Sequence, residues 1–320
     1  MTRDIVLVTG AAGFIGGHLC EYLLQRGVPT IGVDNVNDYY DPKIKESTIS
    51  LLSNHTEFEF FRTDVRDFES MESIIGNNDV GTLVHLAAMA GVRSSIENPG
   101  KYLDVNVNGT NNMLQLSVDN EVDNFIYASS SSVYGERQEV PFHEEDRTDK
   151  PVSPYAASKK ASEVLAYSYH SLYDIPVSCL RFFTVYGPRG RPDMAPFIFI
   201  HRISKGIPIK QYGDGTSLRD YTYVSDIVQG INGAIENPRG YEIYNLGNAD
   251  PVSLTEFIHI VEDAVGKRAE IEVVGEQPGD VHKTYADYTK AKKHLGYEPK
   301  IPLREGISRM VDWYNDTYGS

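Results

Sequence analysis

The chain has 320 residues, of which 41% are hydrophobic and 23% charged, with a formal net charge of −15. That length calls for one large α/β unit plus a smaller lobe, and the acidic balance excludes a general nucleic-acid binder, which needs clustered Lys and Arg. No apolar run is long enough to span a bilayer, and Met1-Thr2-Arg3-Asp4 leads into a strand with no secretory signal, so a cytoplasmic, non-membrane protein is expected.

Residues 5–8 form a short apolar run closed by Gly10, which reads as a buried parallel strand. Residues 14–26 carry apolar side chains at helical spacing and stop at Gly27. A second strand is predicted over 30–33, ending in Asp34, and further strands over 57–62, 82–86, 124–128 and 177–182. Helical patterns lie between most of them, including 101–118 and 154–173. Such alternation predicts an α/β fold with a Rossmann-like doubly wound parallel sheet. After Phe183 the pattern changes. Gly, Pro and Arg crowd 187–192, followed by a helix over 196–205 and a strand over 209–212. The chain then returns to the sheet through 224–235 and 242–245, and a last strand is predicted over 269–274. The expected division is a dinucleotide-binding domain of residues 1–183 plus about 222–250. A smaller C-terminal α/β substrate lobe takes about 184–221 plus 251–320. Cys20 and Cys179 lie in apolar contexts and read as buried free thiols. The scattered histidines and the two cysteines offer no zinc spacing, so no metal is expected.

The loop Thr9-Gly10-Ala11-Ala12-Gly13-Phe14-Ile15-Gly16 joins the first strand to the first helix. Gly10 allows a tight turn, Gly13 lets backbone approach a pyrophosphate, and Gly16 lets helix and strand pack closely. Phe14 and Ile15 open the helix whose unpaired N–H groups would face the phosphates. Asp34, with Asn35 beside it, can accept hydrogen bonds from the adenosine ribose and would repel a 2′-phosphate, which favours NAD over NADP. Asp64 and Val65 follow the third strand as adenine contacts, or Asp64 caps the strand end. Leu86, Ala87 and Ala88 leave the fourth strand on the cofactor side.

Tyr155 and Lys159 stand at i and i+4 on one helix face. An ammonium near a phenol lowers the phenol's pKa from about 10 toward neutrality and makes Tyr155 a usable base. Two other pairs share the spacing. Tyr39/Lys43 contains Pro42 in a loop-like stretch, and Tyr288/Lys292 lies in a charged surface helix. Only Tyr155 opens a long helix shortly after a strand ending in Ser129-Ser130-Ser131-Ser132. Those serines either hold a substrate oxygen in line with Tyr155 or form a polar turn.

With these parts the chain resembles the extended short-chain dehydrogenases/reductases, on Thr9–Gly16, the Ser130/Tyr155/Lys159 set and Arg219-Asp220-Tyr221, over nearly its whole length. Within that family, the segment from Arg181 to Ala195 looks much like UDP-glucuronate 4-epimerases. The resemblance implies bound NAD, a UDP-sugar substrate and a homodimer built through two sheet-flanking helices. It makes Tyr155 the acid and base, Ser130 its hydroxyl partner, and Lys159 an electrostatic partner and nicotinamide-ribose ligand. Thr184 and Arg191 would hold the uronate carboxylate, helped by Ser131 and Ser132. Arg219 would bind the diphosphate, Tyr212 would lie against the uracil, and Asp280 would contact the nucleotide. Asn106 lies on a helix expected near the nicotinamide. Arg93 is an extra anion ligand or else a salt-bridge partner. Family members that dehydrate the sugar carry Asp-Glu after the serine, and those that decarboxylate a uronate tend to carry Glu. Ser131-Ser132 stand there instead, which leaves oxidation and re-reduction at C4. The alternatives are a 4-epimerase of neutral or N-acetylated UDP-hexoses and a UDP-glucuronate decarboxylase.

Overall fold

A computed structural model describes residues 4–275 and 282–319. Six strands come first: β1 (Ile5–Thr9), β2 (Thr30–Val33), β3 (Phe58–Phe61), β4 (Val80–His85), β5 (Asn124–Ser130) and β6 (Val177–Phe182). Three more, β7 (Thr184–Tyr186), β8 (Ile209–Tyr212) and β9 (Leu218–Tyr223), leave the main sheet before β10 (Tyr241–Leu246) rejoins it. The main sheet has seven strands in the order β10-β6-β5-β4-β1-β2-β3, and every pairing in it is parallel. The order reverses at β1, between β2 and β4, so a crevice opens at the carboxyl ends of these strands.

The strands are apolar on both faces because helices cover both. Val6, Val8 and Val84 point to a core shared with α1 (Phe14–Gln25) and α9 (Val224–Glu236), which pack on each other. Leu7, Ile31, Val33 and Leu83 point to the opposite core, built with α3 (Phe68–Gly76), α6 (Gly109–Asp119) and α7 (Pro154–Tyr173). Alternation along each strand sends successive side chains to these two layers.

The remaining strands form the second lobe. β9 pairs with β7, with β11 (Pro251–Ser253) and with β13 (Lys283–Thr284), while β8 pairs with β12 (Ile271–Val274). The helices α8 (Ala195–Lys205), α10 (Leu254–Val265) and α12 (Leu303–Tyr318) pack together over them. Buried Asp220 on β9 fastens this lobe to the β10–β11 turn and to the chain after β13. Its carboxylate accepts the backbone N–H groups of Asn248, Ala249 and Ala286 at 2.7–3.0 Å.

Two local expectations change. The helix predicted over 101–118 is three pieces: α5 (Pro99–Leu103), a π-turn at Asp104–Asn108, and α6. The stretch read as a loop around Pro42 is helix α2 (Pro42–Leu52). Proline at the first helical position lacks an N–H that has no partner there anyway, and Asp41 caps the turn by accepting from the Lys43 N–H.

Candidate active site

The cleft at the strand reversal encloses about 1110 Å³ including its open mouth. Gly10, Gly13, Phe14, Ile15 and Gly16 form one wall. Gly10 has φ +73°, a left-handed turn, and a Cβ there would meet the Ala87 nitrogen at 2.9 Å. A Cβ on Gly16 would collide with the Gly10 carbonyl oxygen. Helix α1 begins with no side-chain cap, so its first N–H groups face the cleft.

Asp34, Asn35, Asp64 and Val65 line the far end. Asn35 donates to Asp64 at 2.7 Å, and hydrogen bonds from Arg66 hold the Asp64 carboxyl near about 2. Buried Lys45 approaches Asp34 at 3.4 Å. Leu86, Ala87 and Ala88 line the cleft between the two ends. The glycine wall, the acceptor at Asp34 and the apolar floor together fit a dinucleotide.

Tyr155 and Lys159 close the near end. Ser153 caps α7 by accepting the Ala156 N–H at 3.1 Å, and Pro154 opens it, so Tyr155 sits in the first turn with Lys159 one turn on. Burial pushes the Tyr155 phenol above its ordinary range. A hydrogen bond with Ser130 and the charge of Arg191 act the other way. Lys159 Nζ finds its hydrogen-bond acceptor on the backbone. It donates to the Ala128 carbonyl at 2.6 Å, because an ammonium only 3% exposed needs a backbone acceptor, and burial lowers it to about 7. Ser130 Oγ accepts from Ser132 N and Ser132 Oγ at 3.2 and 2.9 Å, which organises the tight turn Ser131–Tyr134.

Beneath this end lies a buried ion pair. Glu163 accepts from Arg181 Nε at 2.8 Å, from Arg181 Nη2 at 2.9 Å and from Ser129 Oγ at 2.6 Å. Its carboxylate joins β5, through Ser129, to β6 and α7.

Asn106 does not line the cleft, contrary to expectation. The π-turn buries its amide, which bonds the Met89 backbone at 2.7 and 2.9 Å and Ser158 Oγ at 2.9 Å. It shapes the cleft floor at Met89 instead.

Arg191 lines the cleft beside Tyr155. Its Nη2 donates to the Ala90 carbonyl at 3.1 Å, and Asp193 raises its pKa against the effect of burial. Thr184 lies on β7, opposite Tyr221 of β9. Arg219, also on β9, donates to the Leu218 carbonyl at 3.0 Å. Arg93, in α4 (Val92–Glu97), has its guanidinium 4.4 Å from the Tyr212 ring centroid, bringing the two lobes together. Asp280 lies outside the described residues.

The sequence reading missed Tyr39, Tyr40, Asn37 and Lys45, which all line the cleft. Tyr39 had been set aside because Pro42 follows it. Its hydroxyl in fact donates to Ala90 at 2.9 Å, within reach of Arg191. The signal was available in Asp41-Pro42, an N-cap and first-turn proline that place Tyr39 on a helix-entry loop. Among the described residues, Asp34 and Asp64 are the carboxylates that line the cleft.

Residues 7–310 match the family model described as GDP-mannose 4,6 dehydratase. The chain is 46% identical over 308 residues to a UDP-glucuronate 4-epimerase of Thermodesulfobacterium geofontis, spanning 96% of this chain and 95% of that protein. The structure of a Bacillus cereus UDP-glucuronic acid 4-epimerase, in complex with UDP-glucuronic acid and NAD, superposes with a TM-score of 0.91 at 35% identity, over 98% of this chain and all of that one. A Thermotoga maritima UDP-glucose 4-epimerase with UDP-glucose gives 0.91 at 31% identity, over 98% and 99%.

Proposed function

Since the chain belongs to the GDP-mannose 4,6-dehydratase-like family of extended short-chain dehydrogenases/reductases, we propose that it interconverts UDP-glucuronate and UDP-galacturonate as an NAD-dependent 4-epimerase. The observation that carries this reading is that Tyr155, hydrogen-bonded to Ser130, and Arg191 share one end of a dinucleotide-shaped cleft, where the carboxylate that Arg191 holds is that of Asp193.

NAD in the cleft supplies hydride acceptance and return at C4 of the sugar. The chain supplies the rest. Tyr155 takes the O4 proton, by direct contact or through Ser130, and returns it on the opposite face after the 4-keto sugar turns over. Lys159 holds the strand end at Ala128 and provides positive charge near the phenol. Gly10, Gly13 and Gly16 admit the pyrophosphate, and Asp34 accepts from the ribose.

Dehydration or C5 proton removal needs a second acid or base near Tyr155. Ser131 and Ser132 hold the positions after Ser130, which argues against both. A 4-keto uronate is also a β-keto acid, which loses carbon dioxide when its carboxylate bond aligns with the carbonyl π system. Arg191, with Thr184, Ser131 and Ser132, fixes the carboxylate out of that alignment. Arg219, Tyr212 and Asp280 hold the UDP moiety, with Arg93 at the lobe interface.

Residues 1–183 with about 222–250 hold the cofactor and the remainder holds the sugar nucleotide. Two chains associate through α7 and its neighbours, whose outward face carries Val164, Tyr167, Leu172 and Tyr173, each more than half exposed. Among the described residues no helix is long and apolar enough to cross a membrane. Both thiols are buried and unpaired, which suits a cytoplasmic enzyme. The test is a substrate panel. UDP-glucuronate should be epimerised well ahead of UDP-glucose and UDP-N-acetylglucosamine, and preference for a neutral sugar would replace this reading with a hexose epimerase.

A further inference from the structure

Arg191 meets the cleft already holding a carboxylate. Its Nε donates to Asp193 Oδ1 at 2.9 Å and its Nη2 to Asp193 Oδ2 at 2.5 Å, two near-parallel bonds along one edge of the guanidinium plane. Nη2 is also within 3.1 Å of the Ala90 carbonyl and 3.5 Å of the Tyr39 hydroxyl. The Tyr39 ring centroid lies 5.3 Å from the guanidinium carbon. Side-chain exposure is 18% for Arg191 and 39% for Asp193. The cation is therefore fixed in the wall, while its partner faces water and can leave. A guanidinium takes a carboxylate best through such an edge, and Asp193 occupies the edge that a sugar carboxylate would use in the same manner.

We propose that Asp193 tunes the affinity of the site for a uronate, as an internal carboxylate that a C6 carboxylate must displace from Arg191 or share it with. The proposal rests on the reading that Arg191 grips the uronate. A neutral C6 hydroxymethyl group cannot trade places with Asp193 and meets a guanidinium whose charge is already answered. A uronate can trade, but its binding is weakened by the exchange. Asp193 thereby loosens substrate and product alike and keeps a partly buried cation from collecting inorganic anions.

Titration calorimetry on NAD-loaded protein tests this, in a Tyr155→Phe background so that the ligand is not turned over. Asp193→Asn should bind UDP-glucuronate roughly threefold to tenfold tighter, the scale of a half-exposed ion pair, and leave UDP-glucose unchanged. Asp193→Ala, a second variant in case the amide re-forms the contact, should move in the same direction. In an added Arg191→Leu background, Asp193→Asn should change nothing, which a purely structural role would not produce. Weaker or unchanged UDP-glucuronate binding in both Asp193 variants, or equal shifts for both nucleotides, would overturn the proposal. If Arg191→Leu alone leaves the ratio of the two affinities untouched, the reading of Arg191 falls and takes this one with it. If it collapses the ratio while the Asp193 variants do not move it, only the role of Asp193 falls.

Discussion

Lys159 Nζ donates to the Ala128 carbonyl oxygen at 2.6 Å, fastening the first turns of α7 to the carboxyl end of β5. Tyr155 is carried by that helix and Ser130 by that strand, so the lysine fixes their relative position as well as supplying charge. The buried amine carries a cost. It titrates near about 7 in the fold and near 10.4 in an unfolded chain, so the unfolded state binds more protons between those values. The penalty is complete below pH 7 and disappears as pH rises toward 10.

Lys159→Met should therefore abolish epimerisation and yet melt higher than the parent at pH 6, by about 3 °C or more. The difference should shrink steadily toward pH 10. Differential scanning calorimetry across that range checks it, and a variant that melts lower at pH 6 contradicts the assignment.

A second expectation concerns the pH profile. Burial raises the Tyr155 phenol and the Ser130 hydrogen bond lowers it. A base must lose its proton to act, so activity should rise with pH through this group. Removing a lowering influence moves that rise to higher pH. Ser130→Ala should cost roughly 10- to 100-fold on the rising limb of kcat/KM against pH and move the pH at which that limb levels off upward. A loss with no shift of that pH would mean that Ser130 acts on the sugar alone.

The Glu163–Arg181 pair gives a stability prediction. Both side chains are essentially inaccessible, and Arg181 gives two of its hydrogen bonds to this carboxylate. Glu163→Gln leaves a buried guanidinium without its counter-charge and should cost about 3–5 kcal/mol in urea unfolding. A loss below 1 kcal/mol would show that Tyr134 and the Glu144 carbonyl, which also accept from Arg181, suffice.

Gly16→Ala should lower the NAD content of the purified protein and its melting temperature together. The new methyl group collides with the Gly10 carbonyl oxygen, and the nearest atoms it meets, on Gly10 and Ala11, are all backbone. Absorbance and mass spectrometry of the released nucleotide give the first quantity, and thermal unfolding gives the second.

Much of this arrangement was legible in the chain. The strand at Val177–Phe182 and the helix at Pro154–Tyr173 match their periodic patterns, since continuous apolar runs and helical spacing report burial directly. The glycine loop was legible because tight turns and close backbone approach restrict residue choice. The π-turn was not, because Asp104–Asn108 keeps helical periodicity on either side and only the buried demands of Asn106 reveal the break. The backbone acceptor of Lys159 was also hidden. Spacing on one helix says which side chains share a face, but the Ala128 acceptor comes from a strand 31 residues earlier. The Tyr39–Arg191 contact joins residues 152 apart and has no local signature.

The most direct test incubates the purified protein with UDP-glucuronate in deuterium oxide, with no NAD added, and follows the products by proton NMR. Hydride returned from the same bound NAD predicts UDP-galacturonate that retains protium at C4 and C5, with no pentose. Deuterium at C4, or release of a UDP-pentose, would contradict the account.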